Sequence, residues 1–220
     1  MEPTIYTISG SPRGWRVLLG MVIKDLDLNV KYLSLSDGEH KSDDYLEINP
    51  RGRVPSLVAG DVVITDSLAI LSWFDQQYPD RPLFGGSPQE HAKIWSTTRD
   101  TTDKLRDGMN ALLLPIFFKG ADEVTSELQD AADTVMYELQ WLENRLDGQN
   151  FMAGDTPTAA DAVTYPEVRI LARALETHSD LMTQLGFVDL DQKFPKGHAW
   201  ARRLEALDGF EKCLPVHWNS

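Results

Sequence analysis

The stretch SGSPRGWRV, residues 9–17, places Ser11 between an apolar run that reads as a strand and an amphipathic run that reads as a helix. Neither a histidine nor an acid lies beside it, so it lacks the base that a nucleophilic serine needs. A serine that only donates a hydrogen bond needs no base. Tyr6 and Ser9 are the neighbouring hydroxyls that compete for the same role. The glycines of the stretch complete no phosphate-loop pattern.

Two further stretches carry polar chemistry. In NPRGRVPSL, residues 49–57, Val54 precedes Pro55 directly before a strand. Proline lowers the cost of a cis peptide to roughly 0.5–1 kcal/mol, so this bond is a candidate for it. Such a turn leaves the Val54 amide and carbonyl at a strand edge, where an extended peptide pairs like an added strand. In ITDSLAIL, residues 64–71, Asp66 and Ser67 stand where a strand gives way to a helix. The first amides of a helix are unpaired and carry its positive end. They suit a ligand carboxylate, with the Ser67 hydroxyl alongside and Asp66 left for an ammonium. The competing reading is a plain N-cap, worth about 1 kcal/mol.

Other polar residues read as structural. Thr158 and Asp161 in TPTAADA fit a capping box at a helix start. Cys213, the only cysteine, reads as a small apolar helix residue. No His/Cys cluster has ligand spacing, so no metal is expected.

The elements that must position these groups follow from the apolar pattern. Residues 4–8, 30–33, 56–59 and 62–65 read as strands, the last pair joined by a hairpin at Gly60-Asp61. Residues 12–26 and 66–78 read as helices, with Pro12 tolerated in a first turn. The order β-α-β-α-β-β-α predicts a small mixed sheet with helices on its faces. A Pro/Gly-rich linker at residues 81–87 divides this part, residues 1–80, from residues 88–220. There Leu105, Met109, Leu112 and Ile116, then Leu128, Ala132, Val135, Leu139, Leu142 and Leu146, recur at helical spacing. Pro115 is expected to kink or end the first of these helices. The fold class expected is therefore α/β followed by all-α.

Composition narrows the function. The 220 residues carry a formal net charge of −13 without a basic stripe, so no nucleic-acid partner is expected. No apolar run is long enough to span a membrane. The start, MEPTIYTI, lacks the basic region of a secretory signal, and one cysteine suits a reducing compartment. A cytoplasmic location is the expectation.

Taken together and in order, the bend serine, N-P-x-G-x-V-P-x-L, D-S-L-A-I-L, the linker and the helical half resemble the cytosolic glutathione transferase family. The resemblance covers essentially the whole chain. It implies a thioredoxin-like domain that binds glutathione and a helical domain that contributes the second-substrate pocket. Val54 and Pro55 then match the turn whose backbone pairs with the cysteinyl part of glutathione. Asp66 and Ser67 match the pair that holds its γ-glutamyl end, and His40 and Arg53 match basic positions for its glycine carboxylate. Related thioredoxin-fold oxidoreductases place C-P-x-C where this chain has Ser11-Pro12-Arg13-Gly14, so the thiol must come from the ligand. Ser11 resembles the serine of the theta, tau and zeta classes, whose hydroxyl faces the glutathione sulphur. Tyr6 sits two residues too early to match the tyrosine-type members. The W-R-V ending is nearest to the zeta pattern, which carries a cysteine where this chain has Arg13.

The resemblance implies a transferase that conjugates the glutathione thiolate to a small hydrophobic electrophile, with glutathione as co-substrate and no metal. It implies a homodimer as well. A glutathione-dependent isomerase or dehalogenase on the same fold is one alternative. A non-catalytic glutathione-transferase-like binding or scaffold protein is the other.

Overall fold

The computed structural model describes residues 2–215 and Trp218. Packing divides them into two units, one of residues up to 86 joined by the segment from 206 onward, the other Ser87–Glu205.

In the first unit the chain runs β1 (Thr4–Thr7), α1 (Pro12–Lys24), β2 (Asn29–Tyr32), α2 (Asp43–Ile48), β3 (Ser56–Ala59), β4 (Val62–Ile64) and α3 (Ser67–Gln77). This is the predicted order. The sheet is mixed, in the order β2-β1-β3-β4, with β1 and β2 parallel and the other pairs antiparallel. It is the thioredoxin-like arrangement that the resemblance implies. Ile5, Val17, Leu19, Leu57, Ile70 and Phe74 form a fully buried core between sheet and helices. Burying side chains of this size stabilises the unit by roughly 1.5–3 kcal/mol each.

Two polar contacts tie this unit together. Lys24 Nζ, fully buried, donates to Asp75 Oδ1 at 2.8 Å and to the carbonyls of Asp80 and Arg81. The Asp75 carboxylate also accepts from the Leu83 and Phe84 amides at 2.9 Å. One ion pair thus fastens the end of α1 to α3 and to the residues that follow it. The second contact involves the late segment. A 3-10 turn, Phe210–Cys213, packs on α1, and Trp15 Nε1 donates to Cys213 Sγ at 3.4 Å. The rings of Trp15 and Trp218 meet edge to face at 5.2 Å. Residues from 206 onward therefore group with the sheet unit.

The second unit is helical: α4 (Pro88–Asp100), a π-helical turn (Thr101–Leu105), α5 (Arg106–Lys119), α6 (Ser126–Arg145), α7 (Ala159–Thr177), α8 (Ser179–Gln184), α9 (Leu190–Lys193) and α10 (Pro195–Glu205). Every periodic apolar residue named above from Leu105 to Leu146 is buried. Pro115 departs from expectation, for α5 continues through it to Lys119 and stops at Gly120 in the left-handed conformation. The ring removes one donor, and the Pro115 carbonyl is used by the Gly120 and Ala121 amides that close the helix. Asp161, fully buried in the first turn of α7, accepts from the Thr158 amide and hydroxyl, the Met152 amide and Trp200 Nε1. Among the described residues, no helix is long and apolar enough to cross a membrane.

Candidate functional site

Strand register gathers the predicted site residues at one end of the sheet. Tyr6 pairs with Ser56 across antiparallel β1 and β3, so the end of β1 meets the start of β3. Leu57 pairs with Ile64, so β4 ends there too. Thr7 pairs with Tyr32 in parallel β2. The bend at Ser11, the turn at Arg53–Pro55, the start of α3 at Asp66–Ser67 and the loop that leads to His40 all begin from that end.

Ser11 is half-buried and caps α1, with Pro12 in the first turn as expected. Its Oγ accepts from the Gly14 amide at 3.4 Å, a long contact, and among the described residues nothing accepts its own proton. Gly14 explains how the helix comes so close to the strand. A Cβ there would lie 1.8 Å from Thr7 Oγ1, which real side chains never tolerate. Thr7 is fully buried, and its hydroxyl has no hydrogen-bond partner among the described residues. Tyr6 lies within β1, and Ser9 is half-buried and engaged in contacts of its own.

The Val54–Pro55 bond is cis, as anticipated. The Arg53 carbonyl just before it is held by Tyr45 Oη and Asn49 Nδ2, both at 2.7 Å, and Tyr45 Oη also meets Ser56 Oγ at 2.9 Å. Burial pushes the Tyr45 hydroxyl above the usual phenol range, against the pull of Ser56 and Asn49, so it stays a neutral donor. These anchors leave the Val54 amide and carbonyl without a partner among the described residues.

His40 and Arg53 are brought near each other through Gly52. Its φ is +55°, and a Cβ there would stand 2.8 Å from the His40 carbonyl oxygen and 2.7 Å from Lys41 Nζ. Lys41 donates to the Arg51 carbonyl at 3.3 Å. The segment 51–53 therefore nests against 40–41, and Lys41 is a third cation that the sequence reading passed over. Asn49 and Tyr45 were missed as well. The N-P pair hinted at Asn49 as a turn residue, whereas nothing in the sequence marks Tyr45.

At α3 the capping and ligand readings prove compatible. Asp66 Oδ1 accepts from the Leu68 and Ala69 amides at 2.9 and 3.0 Å, and Oδ2 has no partner among the described residues. Ser67 is 4% exposed, and neither its amide nor its hydroxyl is engaged there. One carboxylate oxygen closes the helix and the other faces outward as a free acceptor.

Cys213 belongs to the packing. Its thiol donates to the Phe210 carbonyl at 3.0 Å, and burial pushes its pKa up to about 12. Such a thiol is inert at neutral pH. Among the described residues, no three His, Cys, Asp or Glu side chains gather as a metal would require.

One sheet end thus offers a hydroxyl with a spare proton, an unpaired strand edge, a helix start with an open amide, a half-used carboxylate and a cationic turn. This suits a short extended ligand with carboxylates at its ends and an ammonium.

Comparison with known proteins points the same way. Residues 5–82 match the family described as "Glutathione S-transferase, N-terminal domain", and residues 105–208 match "Glutathione S-transferase, C-terminal domain". The chain is 32% identical over 168 residues to Glutathione S-transferase 1 of Dianthus caryophyllus, covering 74% of this chain and 75% of that protein. It is 29% identical over 221 residues to the protein named probable maleylacetoacetate isomerase 1 of Drosophila melanogaster, covering 97% and 82%. Its fold is similar to the crystal structure of a glutathione S-transferase from the Antarctic clam Laternula elliptica. That match has a TM-score of 0.85 at 29% identity and covers 100% of this chain and 95% of that one.

Proposed function

The chain belongs to the glutathione S-transferase family, and we propose that it holds glutathione at the end of the sheet and conjugates its thiolate to a small hydrophobic electrophile. The observation that carries this reading is the Ser11 hydroxyl, whose proton has no acceptor within the described chain. Glutathione is a short extended peptide with two carboxylates, one ammonium and one thiol. Its cysteinyl backbone pairs with the Val54 amide and carbonyl. Its γ-glutamyl carboxylate takes the Ser67 amide and hydroxyl, and its ammonium takes the free oxygen of Asp66. Its glycine carboxylate faces His40, Lys41 and Arg53.

The chemistry asked of the protein is modest. A free thiol has a pKa near 8.5, so little thiolate exists at neutral pH. Lowering that pKa by about two units requires roughly 2.7 kcal/mol of preference for the anion. A charge-assisted hydrogen bond from Ser11 supplies about 1.5–3 kcal/mol. The positive end of the 13-residue α1 adds to it. The thiolate then attacks the electrophilic carbon and the leaving group departs with the bonding pair. The remaining contribution is positioning.

We take the working form to be a cytoplasmic homodimer that binds neither nucleic acid nor membrane. The family habit and the acidic charge support this. A glutathione-dependent isomerase is the second reading, favoured by the likeness to the fly protein over 97% of this chain. Arg13, in place of the cysteine of the zeta pattern, weighs against it.

The deciding experiment measures glutathione binding calorimetrically and turnover with an activated aryl chloride, for the parent and Ser11→Ala. Binding should persist while turnover falls by about a hundredfold. Equal turnover in both would end the Ser11 assignment. Failure of the parent to bind glutathione would favour the non-catalytic reading.

A further inference from the structure

The Thr7 hydroxyl is a buried polar group that the site described above leaves unused. Thr7 ends β1, is fully buried, and its Oγ1 has no hydrogen-bond partner among the described residues. Buried hydroxyls are ordinarily bonded, so one left open calls for a reason. Packing alone would favour valine, which has nearly the same volume and no polar atom to bury.

The reason lies in what the oxygen touches. A Cβ built on Gly14 would stand 1.8 Å from Thr7 Oγ1, 3.1 Å from Thr7 Cβ and 3.6 Å from Ser11 Cβ, with the Thr7 methyl farther off. A carbon–carbon bond is about 1.5 Å long, so Oγ1 itself lies within about 3.3 Å of the Gly14 Cα. A methyl carbon in that place would need about 3.5–4.0 Å. Oxygen therefore admits the first turn of α1 a few tenths of an ångström closer to the strand than valine would.

Both sides of this contact are held. The Thr7 carbonyl accepts from the Leu33 amide at 2.7 Å, which fixes the strand end. The Gly14 amide donates to Ser11 Oγ at 3.4 Å and the Trp15 amide to the Ser11 carbonyl at 2.8 Å, so a shift of the turn carries Ser11 with it. A β-branched side chain in a packed interior has little freedom at χ1 to give way.

We propose that Thr7 is a positioning residue for the reaction: its hydroxyl oxygen, lodged against Gly14, sets how far the first turn of α1 stands off β1 and so where the Ser11 hydroxyl meets the glutathione sulphur. The proposal rests on the reading of Ser11 as the thiolate donor.

The test compares Thr7→Val, Thr7→Ser and Thr7→Ala with the parent, each also on the Ser11→Ala background. Glutathione affinity is measured by calorimetry, turnover with an activated aryl chloride, and ionisation of bound glutathione by thiolate absorbance against pH. Thr7→Val should bind glutathione within about twofold of the parent but turn over roughly threefold to tenfold more slowly, since a full ångström of misplacement costs about a hundredfold. Its thiolate should form at higher pH, because a displaced donor stabilises the anion less. Thr7→Ser keeps the oxygen and should restore both. Thr7→Ala cannot overpack, so it decides the matter if Thr7→Val does not fold, and its turnover should fall in the same direction. With Ser11→Ala present, none of the three should change turnover further, because they act through the missing hydroxyl. Thr7→Val or Thr7→Ala with the parent's turnover and pH profile would overturn the proposal while leaving the Ser11 reading intact. So would an equal loss in Thr7→Ser, or a loss of affinity that matches the loss of turnover. Parent-like turnover in Ser11→Ala alone would remove the Ser11 reading and this proposal with it.

Discussion

Two helix starts in this molecule use the same polar vocabulary and finish differently. At α7 the Asp161 carboxylate takes four donors and is sealed from solvent. At α1 the Ser11 hydroxyl takes one amide at 3.4 Å, stays half-buried and keeps its proton unspent. The start of α3 lies between them, with one oxygen of Asp66 used and one free. A saturated cap holds the fold, whereas an unsaturated one has capacity left for a ligand. The sequence marks the α7 start as a capping box, but how many donors each of the three groups takes is set only by what the fold packs around it.

The contrast can be broken, and the largest effect belongs to the saturated cap. Asp161→Ala would strand four donors, two of them the buried Met152 amide and Trp200 indole, and should cost about 3–5 kcal/mol of stability. A urea unfolding midpoint within error of the parent would show that the box carries nothing.

Ser11→Ala should do the reverse. Its stability cost should stay below about 1 kcal/mol, because the lost cap bond is long. Turnover should fall by about a hundredfold. The pH at which turnover rises should also move up, since removing a donor raises the thiol pKa and leaves less thiolate at neutral pH. A pH profile identical to that of the parent would remove Ser11 from the chemistry.

Asp66→Asn keeps an oxygen for the Leu68 and Ala69 amides and loses the charge. Glutathione affinity should drop about tenfold with the melting temperature nearly unmoved. If melting falls and affinity does not, Asp66 is a cap alone. The smallest effect is expected for Ser67→Ala, a loss of about threefold to tenfold in glutathione affinity, consistent with one hydrogen bond among several. Isothermal calorimetry resolves both.

Much of this was legible in advance. The strand and helix order of the first unit, the turn at Val54–Pro55 and the amphipathic runs of the second all follow from local pattern and composition. Those signals are short-range, and the structure agrees with them. Long-range contacts were not legible. Thr7 and Gly14 lie seven residues apart, and only the closeness of α1 to β1 makes the glycine compulsory. Tyr45 supports the turn at Arg53 through its hydroxyl, and no periodicity marks a tyrosine for that task. Trp15 and Cys213 meet across 198 residues. The passage of α5 through Pro115 escaped as well, because proline's local preference yields when the surrounding helix is held by packing.

By itself the sequence determined which residue types stand at the bend, the turn and the helix start, and therefore what chemistry was available. It did so because caps, turns and periodicity depend on neighbours within a few positions. Only the tertiary structure decided which of those groups are spent and which are free. The register of β1, β3 and β4 brings three loops to one end, and burial with hydrogen bonding saturates Asp161 while leaving Ser11 a proton to give.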